Sequence, residues 1–470
     1  MIAFLVALHV AGVAGLALYG LLGFVTLYLF LRHRHARTEP PPAPRDWPLV
    51  TVQLPVYNER EVVERLIDAT AALDYPPDRL QIQLLDDSTD DTTSRAAVCV
   101  ARHRARGLDV TLHHRSGRQG FKAGALSAAL ADARGEFIAI FDADFVPEPS
   151  FLRLTIPYLA TDPGLGAVQA RWGHLNATDS PLTGAQAIAL DKHFAVEQVV
   201  RHRAACFPKF NGSAGVWRRT CIEDAGGWQA DTLCEDLCLS TRAVLRGWRF
   251  HFADDVVAPA ELPATVLAYK NQQARWATGA TQCLTKYAAP IWHAPEHSLL
   301  ARLYALLSMS AYSTHLLLLL VLLVQLPLLL SGYRLPSWLI LFSVLGLGQP
   351  LLFLLAQQVL YRDWPRRARH MPALLLLAVG TAPSNTWAVL RGFFGRTFTF
   401  SRTPKGAHRG YRLRAGGMVW VEAAFALYSA VVLVLALLTH NAGAILLPLL
   451  GVLGFGYVAL RAWRESRATA

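Results

Sequence analysis

The sequence predicts an α/β domain held between membrane-spanning helices, and three observations carry that prediction. Apolar residues crowd into residues 1–32 and the region after about 298, while the stretch between carries many charges and Gly/Pro punctuation. Basic clusters flank the apolar segments. Within the central stretch, short apolar runs end abruptly in acidic residues, as buried strands do when their carboxyl ends open on a ligand crevice.

A hydrophobic content of 53% over 470 residues suits a chain partly in lipid. The first element, residues 3–30, is almost wholly apolar and runs into Arg32-His33-Arg34-His35-Ala36-Arg37. Lys and Arg stay on the cytoplasmic side of membrane segments, so this order places the N-terminus outside and the exit inside. An uncharged start and a long apolar run mark an anchor rather than a cleaved signal peptide. The other basic groups, Arg362, Arg366-Arg367-Ala368-Arg369, Lys405 to Arg414, Arg461, Arg464 and Arg467, flank later apolar segments. The formal charge of +11 is thereby explained by topology, and with no basic helix or aromatic RNA-binding signature it does not indicate nucleic-acid binding.

The central domain opens with Leu49-Val50-Thr51-Val52-Gln53-Leu54-Pro55-Val56, a strand leading through a loop into a helical pattern from Val62 to Ala72. A second strand, Ile82-Gln83-Leu84-Leu85, runs into Asp86-Asp87-Ser88-Thr89-Asp90. Next, Arg115 to Leu126 concentrates glycines and the cations Arg115, Arg118 and Lys122 in a loop entering a helix, which suits a phosphate or a solvated turn. A third strand, Phe137 to Phe141, ends in Asp142-Ala143-Asp144. In an extended D-x-D both carboxylates can face one ligand, and oxygen donors suit Mg2+ or Mn2+ shared with a diphosphate. Turn and helix-cap roles are the alternative for each acid taken alone. Together, two strands ending in acids some fifty residues apart define one crevice.

Two later segments complete the set. Cys234-Glu235-Asp236-Leu237 begins a helical pattern, where a carboxylate can take a proton from an acceptor hydroxyl or simply cap the helix. Gln272-Gln273-Ala274-Arg275-Trp276 lies in another helix, with Arg275 available to a departing diphosphate and Trp276 to a sugar face or to packing. The six cysteines, at 99, 206, 221, 234, 238 and 283, all fall in this domain, and a reducing compartment argues against disulfides. Cys234 and Cys238 have no nearby Cys/His pair to complete a zinc site. The sequons at Asn176 and Asn211 are expected to stay unmodified.

Beyond the domain, residues about 310–331 and 337–360 are each long enough to span the bilayer, with Ser331-Gly332-Tyr333-Arg334 outside. Segment 371–395 is interrupted by Thr381-Ala382-Pro383-Ser384-Asn385 between basic flanks and reads as an amphipathic or half-buried segment near the cytosolic interface. Spans near 418–438 and 444–462 bring the C-terminus inside, for about five spans in all. The predicted organisation is an anchor at 1–32, a cytosolic domain at 48–297, a transmembrane pair at 298–363, a cytosolic interface segment at 364–417 and a second pair at 418–470.

Seven ordered motifs, PVYNER at 55–60, LLDDSTD at 84–90, FKAGAL at 121–126, IFDADF at 140–145, VQARW at 168–172, FNGSAGVWR at 210–218 and AGGW at 225–228, resemble the family 2 inverting glycosyltransferases. The resemblance is closest to the plant cellulose-synthase-like A glucomannan 4-β-mannosyltransferases and their C relatives, over about residues 48–285. It implies a GT-A type domain with a Rossmann-like mixed sheet. Carried over residue by residue, it makes Asp86, Asp87 and Lys122 donor contacts, Asp142 and Asp144 the diphosphate and metal pair, and Asp236 the base beside Glu235. Arg275 falls to the diphosphate, and Gln272, Trp276 and Trp172 to the acceptor. Phe400-Ser401-Arg402-Thr403-Pro404-Lys405-Gly406 resembles the gating loop of bacterial cellulose synthase, which adds Phe400, Thr403 and Lys405 to the donor contacts. Cys234 and Arg402 depart from the family pattern and leave the acids intact. No cyclic-dinucleotide-binding domain is expected after the last span.

The resemblance implies single displacement of a hexose from UDP-glucose or GDP-mannose onto a growing β-linked polysaccharide, with Mg2+ or Mn2+ and possible export through the spans. The expected partners are the donor, a glycan or glycolipid acceptor and membrane lipids, with no nucleic acid, in a multi-pass inner-membrane setting. Transfer to a ceramide- or diacylglycerol-like lipid is the alternative within the same chemistry. A transporter is disfavoured, because the spans hold very few ionisable residues.

Overall fold

The computed structural model describes residues 1–36, 38–334, 340–395 and 416–468. Seven strands form one mixed sheet: β1 (Val50–Val56), β2 (Leu80–Asp86), β3 (Asp109–His114), β4 (Phe137–Ile140), β5 (Leu165–His174), β6 (Gly215–Arg218) and β7 (Arg249–Ala260). Their order is β3-β2-β1-β4-β6-β5-β7. The first four are parallel neighbours, β6 runs antiparallel to both β4 and β5, and β7 is parallel to β5.

Strands β2 and β4 are buried along their whole length, and β1 at all but one position, which is why they read as continuous apolar runs. Alternation still sorts β4: Phe137 and Ala139 join Leu54, Leu84 and Phe151 on one face, while Ile138 and Ile140 join Trp217 and Leu239 on the other. Each such large side chain contributes roughly 1.5–3 kcal/mol by leaving water. Buried polar residues pair across these strands, with Thr51 Oγ1 donating to Gln81 (2.7 Å) and Gln53 Nε2 to Gln83 (3.0 Å).

Register places the acids. Val56 pairs with Asp86 and Gln53 with Ile140, so β1, β2 and β4 all finish along one edge. Beside that edge, Ile140 meets Gly215 of the antiparallel β6, and the D-x-D turn and the FNGSAG loop emerge together.

Four helices among the described residues are long and apolar enough to cross a membrane: Ile2–His33, Ser313–Leu330, Met418–Leu438 and Ala442–Arg467. The span expected at 337–360 differs, since helix Ile340–Gly346 stops before helix Gly348–Leu360 begins, and neither reaches spanning length by itself. Pro350 lies in the first turn of the second helix, where its missing N–H and its clash with the carbonyl four residues back end the first. Gly20 and Gly348 permit a close helix crossing there, because a Cβ on either would collide with backbone of the other helix. Over the segment read as amphipathic or half-buried at 371–395, helices Trp364–Gly380 and Ala382–Phe394 meet at a 49° bend, the geometry of a broken span or a re-entrant loop, and they make a fifth candidate span if counted as one. Pro383, in the first turn of the second, sets the break.

The expectation of unpaired cysteines is corrected at one pair. Cys238 and Cys283 are joined in a disulfide, with Cα atoms 5.9 Å apart, while Cys99, Cys206, Cys221 and Cys234 are free. The crossing of two helices brings them together across 45 residues, a proximity that compartment arguments do not address.

Candidate active site

A cavity of about 180 Å3 opens where β1, β2 and β4 end. Ten of the residues singled out from the sequence line it: Asp87, Lys122, Asp142, Asp144, Trp172, Glu235, Asp236, Gln272, Arg275 and Trp276. Asp86 is not among them. Its carboxylate is fully buried below the rim, accepts from Ser88 N–H (3.0 Å) and Thr93 Oγ1 (2.6 Å), and lies 2.9 Å from His114 Nδ1. Burial alone would raise its pKa, but these hydrogen bonds prevail and hold it below its ordinary value. Asp86 thus orders the loop that presents Asp87. Phe400, Thr403 and Lys405 lie outside the described residues.

The three cations of the Gly-rich loop separate into two roles. Arg115 forms a bidentate pair with Asp87 (2.7 and 2.6 Å) and donates to Phe121 O, so it folds the loop. Arg118, over the Tyr57 ring at 3.4 Å, and Lys122 face the cavity. Gly120 precedes helix Phe121–Leu130 at φ +73°, a conformation glycine takes at no steric cost.

The D-x-D segment is not extended. The chain leaves β4 in a turn closed by Phe145 N–H to Asp142 O (3.1 Å), and Asp142 N–H donates to Ser213 Oγ (2.9 Å). Both acids still line the cavity. Lys122 Nζ lies 2.6 Å from Asp142 Oδ1 and 3.7 Å from Glu235 Oε1, and it donates to Gly212 O (2.8 Å). Burial works against the Lys122 charge, yet Asp142 and Glu235 more than offset it and raise the pKa.

Glu235 and Asp236 occupy the first turn of helix Glu235–Leu245, where the helix dipole favours carboxylates. Burial raises the Glu235 pKa, Lys122 pulls it back, Asp236 adds repulsion, and the result is about 7. Asp236 is also raised, by burial first, against the pull of Lys122. Such a pair titrates as a unit and retains a proton into the neutral range. Gly212 closes over it at φ +81°, where an added Cβ would stand 3.0 Å from Asp236 Oδ2.

On the far wall, Trp172 packs between Phe145 and Phe194, with Nε1 donating to Ser213 O (3.2 Å). Helix Val266–Trp292 carries Gln272, Arg275 and Trp276 to the rim. Arg118, one of the cations read from the Gly-rich loop, lines the cavity as well, whereas sequence reasoning missed the roles in the lining of Tyr57 and Asn211, although both stand inside quoted motifs. It also missed the shell behind Asn211, whose side chain lies 3.0 Å from His193 Nε2. His193 starts a π-helical turn, His193–Gln198, and burial lowers its pKa to about 4, so it is neutral at pH 7. A π turn leaves no periodic signature in sequence.

Residues 47–279 match the family model described as glycosyltransferase like family 2. The probable glucomannan 4-beta-mannosyltransferase 7 of Oryza sativa subsp. japonica is 44% identical over 267 residues, 56% of this chain and 46% of that protein. Glucomannan 4-beta-mannosyltransferase 2 of Arabidopsis thaliana is 44% identical over 250 residues, 52% and 47% of the two chains. The chain thus spans about half the length of these curated relatives. Among solved structures, a mannosyltransferase from Pyrobaculum calidifontis in complex with GDP-Man and Mn2+ superposes with a TM-score of 0.58 at 23% identity, over 84% of this chain and 99% of that one, a likeness of fold.

Proposed function

Residues 47–279 are a family 2 glycosyltransferase domain of GT-A fold, and from that premise we propose that the protein transfers a hexose from UDP-glucose or GDP-mannose to the end of a growing β-linked polysaccharide. One observation carries the proposal: the Glu235-Asp236 helix start, the D-x-D turn, Lys122 and the Gln272–Trp276 helix converge on a single cavity. That convergence supplies acid, base and cation within the reach of one bound substrate.

In the reaction that follows, Asp87 and Arg118 bound the nucleotide end of the cavity, and Lys122 and Arg275 offset charge on the diphosphate as it departs. Asp236 takes the proton of the acceptor hydroxyl, which attacks the anomeric carbon from the face opposite the diphosphate. Inversion of an α-linked donor leaves a β linkage. Gln272, Trp276 and Trp172 hold the acceptor end, with aromatic faces against the sugar. Asp142 and Asp144 offer oxygen donors alone, the set a hard divalent cation takes. Mg2+ or Mn2+ bound there would neutralise the diphosphate oxygens.

With the catalytic domain on the cytosolic side and the N-terminus outside, the basic flanks of the apolar helices lie where positive charge is retained. The test is incubation of the purified full chain in detergent with Mg2+ or Mn2+ and radiolabelled UDP-glucose or GDP-mannose in parallel, followed by separation of polymer from lipid extract. Label in high-molecular-weight material supports the proposal and names the donor. Label confined to the organic phase overturns it in favour of a lipid acceptor.

A further inference from the structure

The helix that carries Gln272, Arg275 and Trp276 is gripped near its start by two acids from the last two helices of the chain. Lys270 Nζ lies 2.5 Å from Glu422 Oε1 in helix Met418–Leu438, with side chains 8% and 0% exposed. Glu465, near the end of helix Ala442–Arg467, accepts from the backbone N–H groups of Val266 and Leu267, each at 3.0 Å. Leu267, Val419, Ala459 and Ala462 pack together around these contacts. At about 100° per residue, Lys270 projects roughly 120–160° away from Gln272, Arg275 and Trp276. It therefore touches the far side of the helix and acts on the cavity only through the backbone.

Fold stability alone is a weak account of this arrangement. A desolvated ion pair is costly to form, and apolar replacement of both partners is often neutral or stabilising, whereas fixing register is the best-attested use of buried pairs. Glu465 adds direction, because a carboxylate that takes two first-turn N–H groups fixes where the helix begins as well as opposing its dipole.

We infer that Lys270, Glu422 and Glu465 are positioning residues that register the Gln272–Trp276 helix against the last two helices, so the acceptor side of the cavity is set by the membrane region. The inference rests on the proposed transferase activity and names residues that touch no substrate. It explains why charged groups are kept in an otherwise apolar seam between the catalytic domain and the last two helices.

The test compares two double variants of the full chain in detergent, Lys270→Met with Glu422→Leu and the swapped pair Lys270→Glu with Glu422→Lys, using an added oligosaccharide acceptor. A misplacement of about 1 Å costs roughly 100-fold. The apolar double should therefore lose on the order of 10- to 100-fold in kcat/KM for the acceptor, with donor KM unchanged, and the swapped pair should recover most of that loss. Wild-type acceptor KM and kcat in the apolar double overturn the inference. So does a loss that raises donor and acceptor KM together and that the swap does not restore. Amide hydrogen exchange over 266–277 is read in the same samples and in Glu465→Gln, so folding of the apolar double is not required. Faster exchange there supports the grip, and unchanged exchange overturns it even if the wild-type chain transfers neither sugar. In that last case the transferase reading fails separately.

Discussion

Lys122→Met removes the ammonium that, among the described residues, contacts Asp142 and approaches Glu235, and its consequence follows from the distances. At 3.7 Å from Glu235 Oε1, a unit charge at an effective dielectric constant of about 20 is worth roughly 4 kcal/mol. Relaxation and water entry return part of that, but even ~1.4 kcal/mol moves a pKa by one unit. The Glu235 carboxyl, held at about 7 against burial largely by Lys122, should then titrate above about 8. Because Glu235 and the base Asp236 share Lys122 and titrate as a unit, the fully deprotonated pair falls at pH 7 from about half to less than about a tenth, a loss of roughly five-fold or more before any donor contact is counted. The assay is the pH dependence of kcat/KM, which reports groups of the free enzyme. Wild type should show an acidic limb near 7 and Lys122→Met a limb displaced upward by at least about one unit. A limb that stays in place would refute the assignment of Lys122 as the countercharge of the acid pair.

Other consequences are equally checkable. Glu235 is raised from 4.5 to about 7 in the folded chain, so between those values the folded state binds protons the unfolded chain has lost, and stability falls as pH rises through that window. Thermal unfolding should show a lower Tm at pH 8 than at pH 5, with a smaller difference in Glu235→Gln. Gly212→Ala places a Cβ at 3.0 Å from Asp236 Oδ2 and at φ +81°; it should cost on the order of 1–2 kcal/mol in denaturation and depress transfer more than nucleotide binding. Chelation by EDTA should abolish transfer, and added Mg2+ or Mn2+ should restore it, while Asp142→Asn with Asp144→Asn should not respond to either cation.

Much of the architecture was legible because its physics is local. Buried strands announce themselves as apolar runs, and the acids at their ends follow from chain direction, which brought Asp87, Asp142 and Asp144 to one edge. Long-range consequences were less legible. Asp86 and Asp87 are adjacent and chemically identical, yet opposite side-chain directions along a strand bury one beneath the rim and turn the other to the cavity. The cations Arg115 and Lys122 look alike in sequence, and only folding shows that the first is spent on Asp87. The break near Thr381 was legible in Thr381-Ala382-Pro383-Ser384-Asn385, whereas the one near Leu347, marked by Pro350, was hidden by hydropathy averaged over a window. The grip of Glu422 and Glu465 on the helix start joins residues more than 150 positions apart, beyond any periodic signal.

The most direct test of the central claim is the anomeric configuration of the product. Polymer made by the wild-type chain from labelled UDP-glucose or GDP-mannose should be released by a β-glucanase or β-mannanase, and Asp236→Asn should make none while still binding nucleotide. Product cleaved only by α-specific hydrolases, or undiminished synthesis by Asp236→Asn, would contradict single displacement with Asp236 as the base.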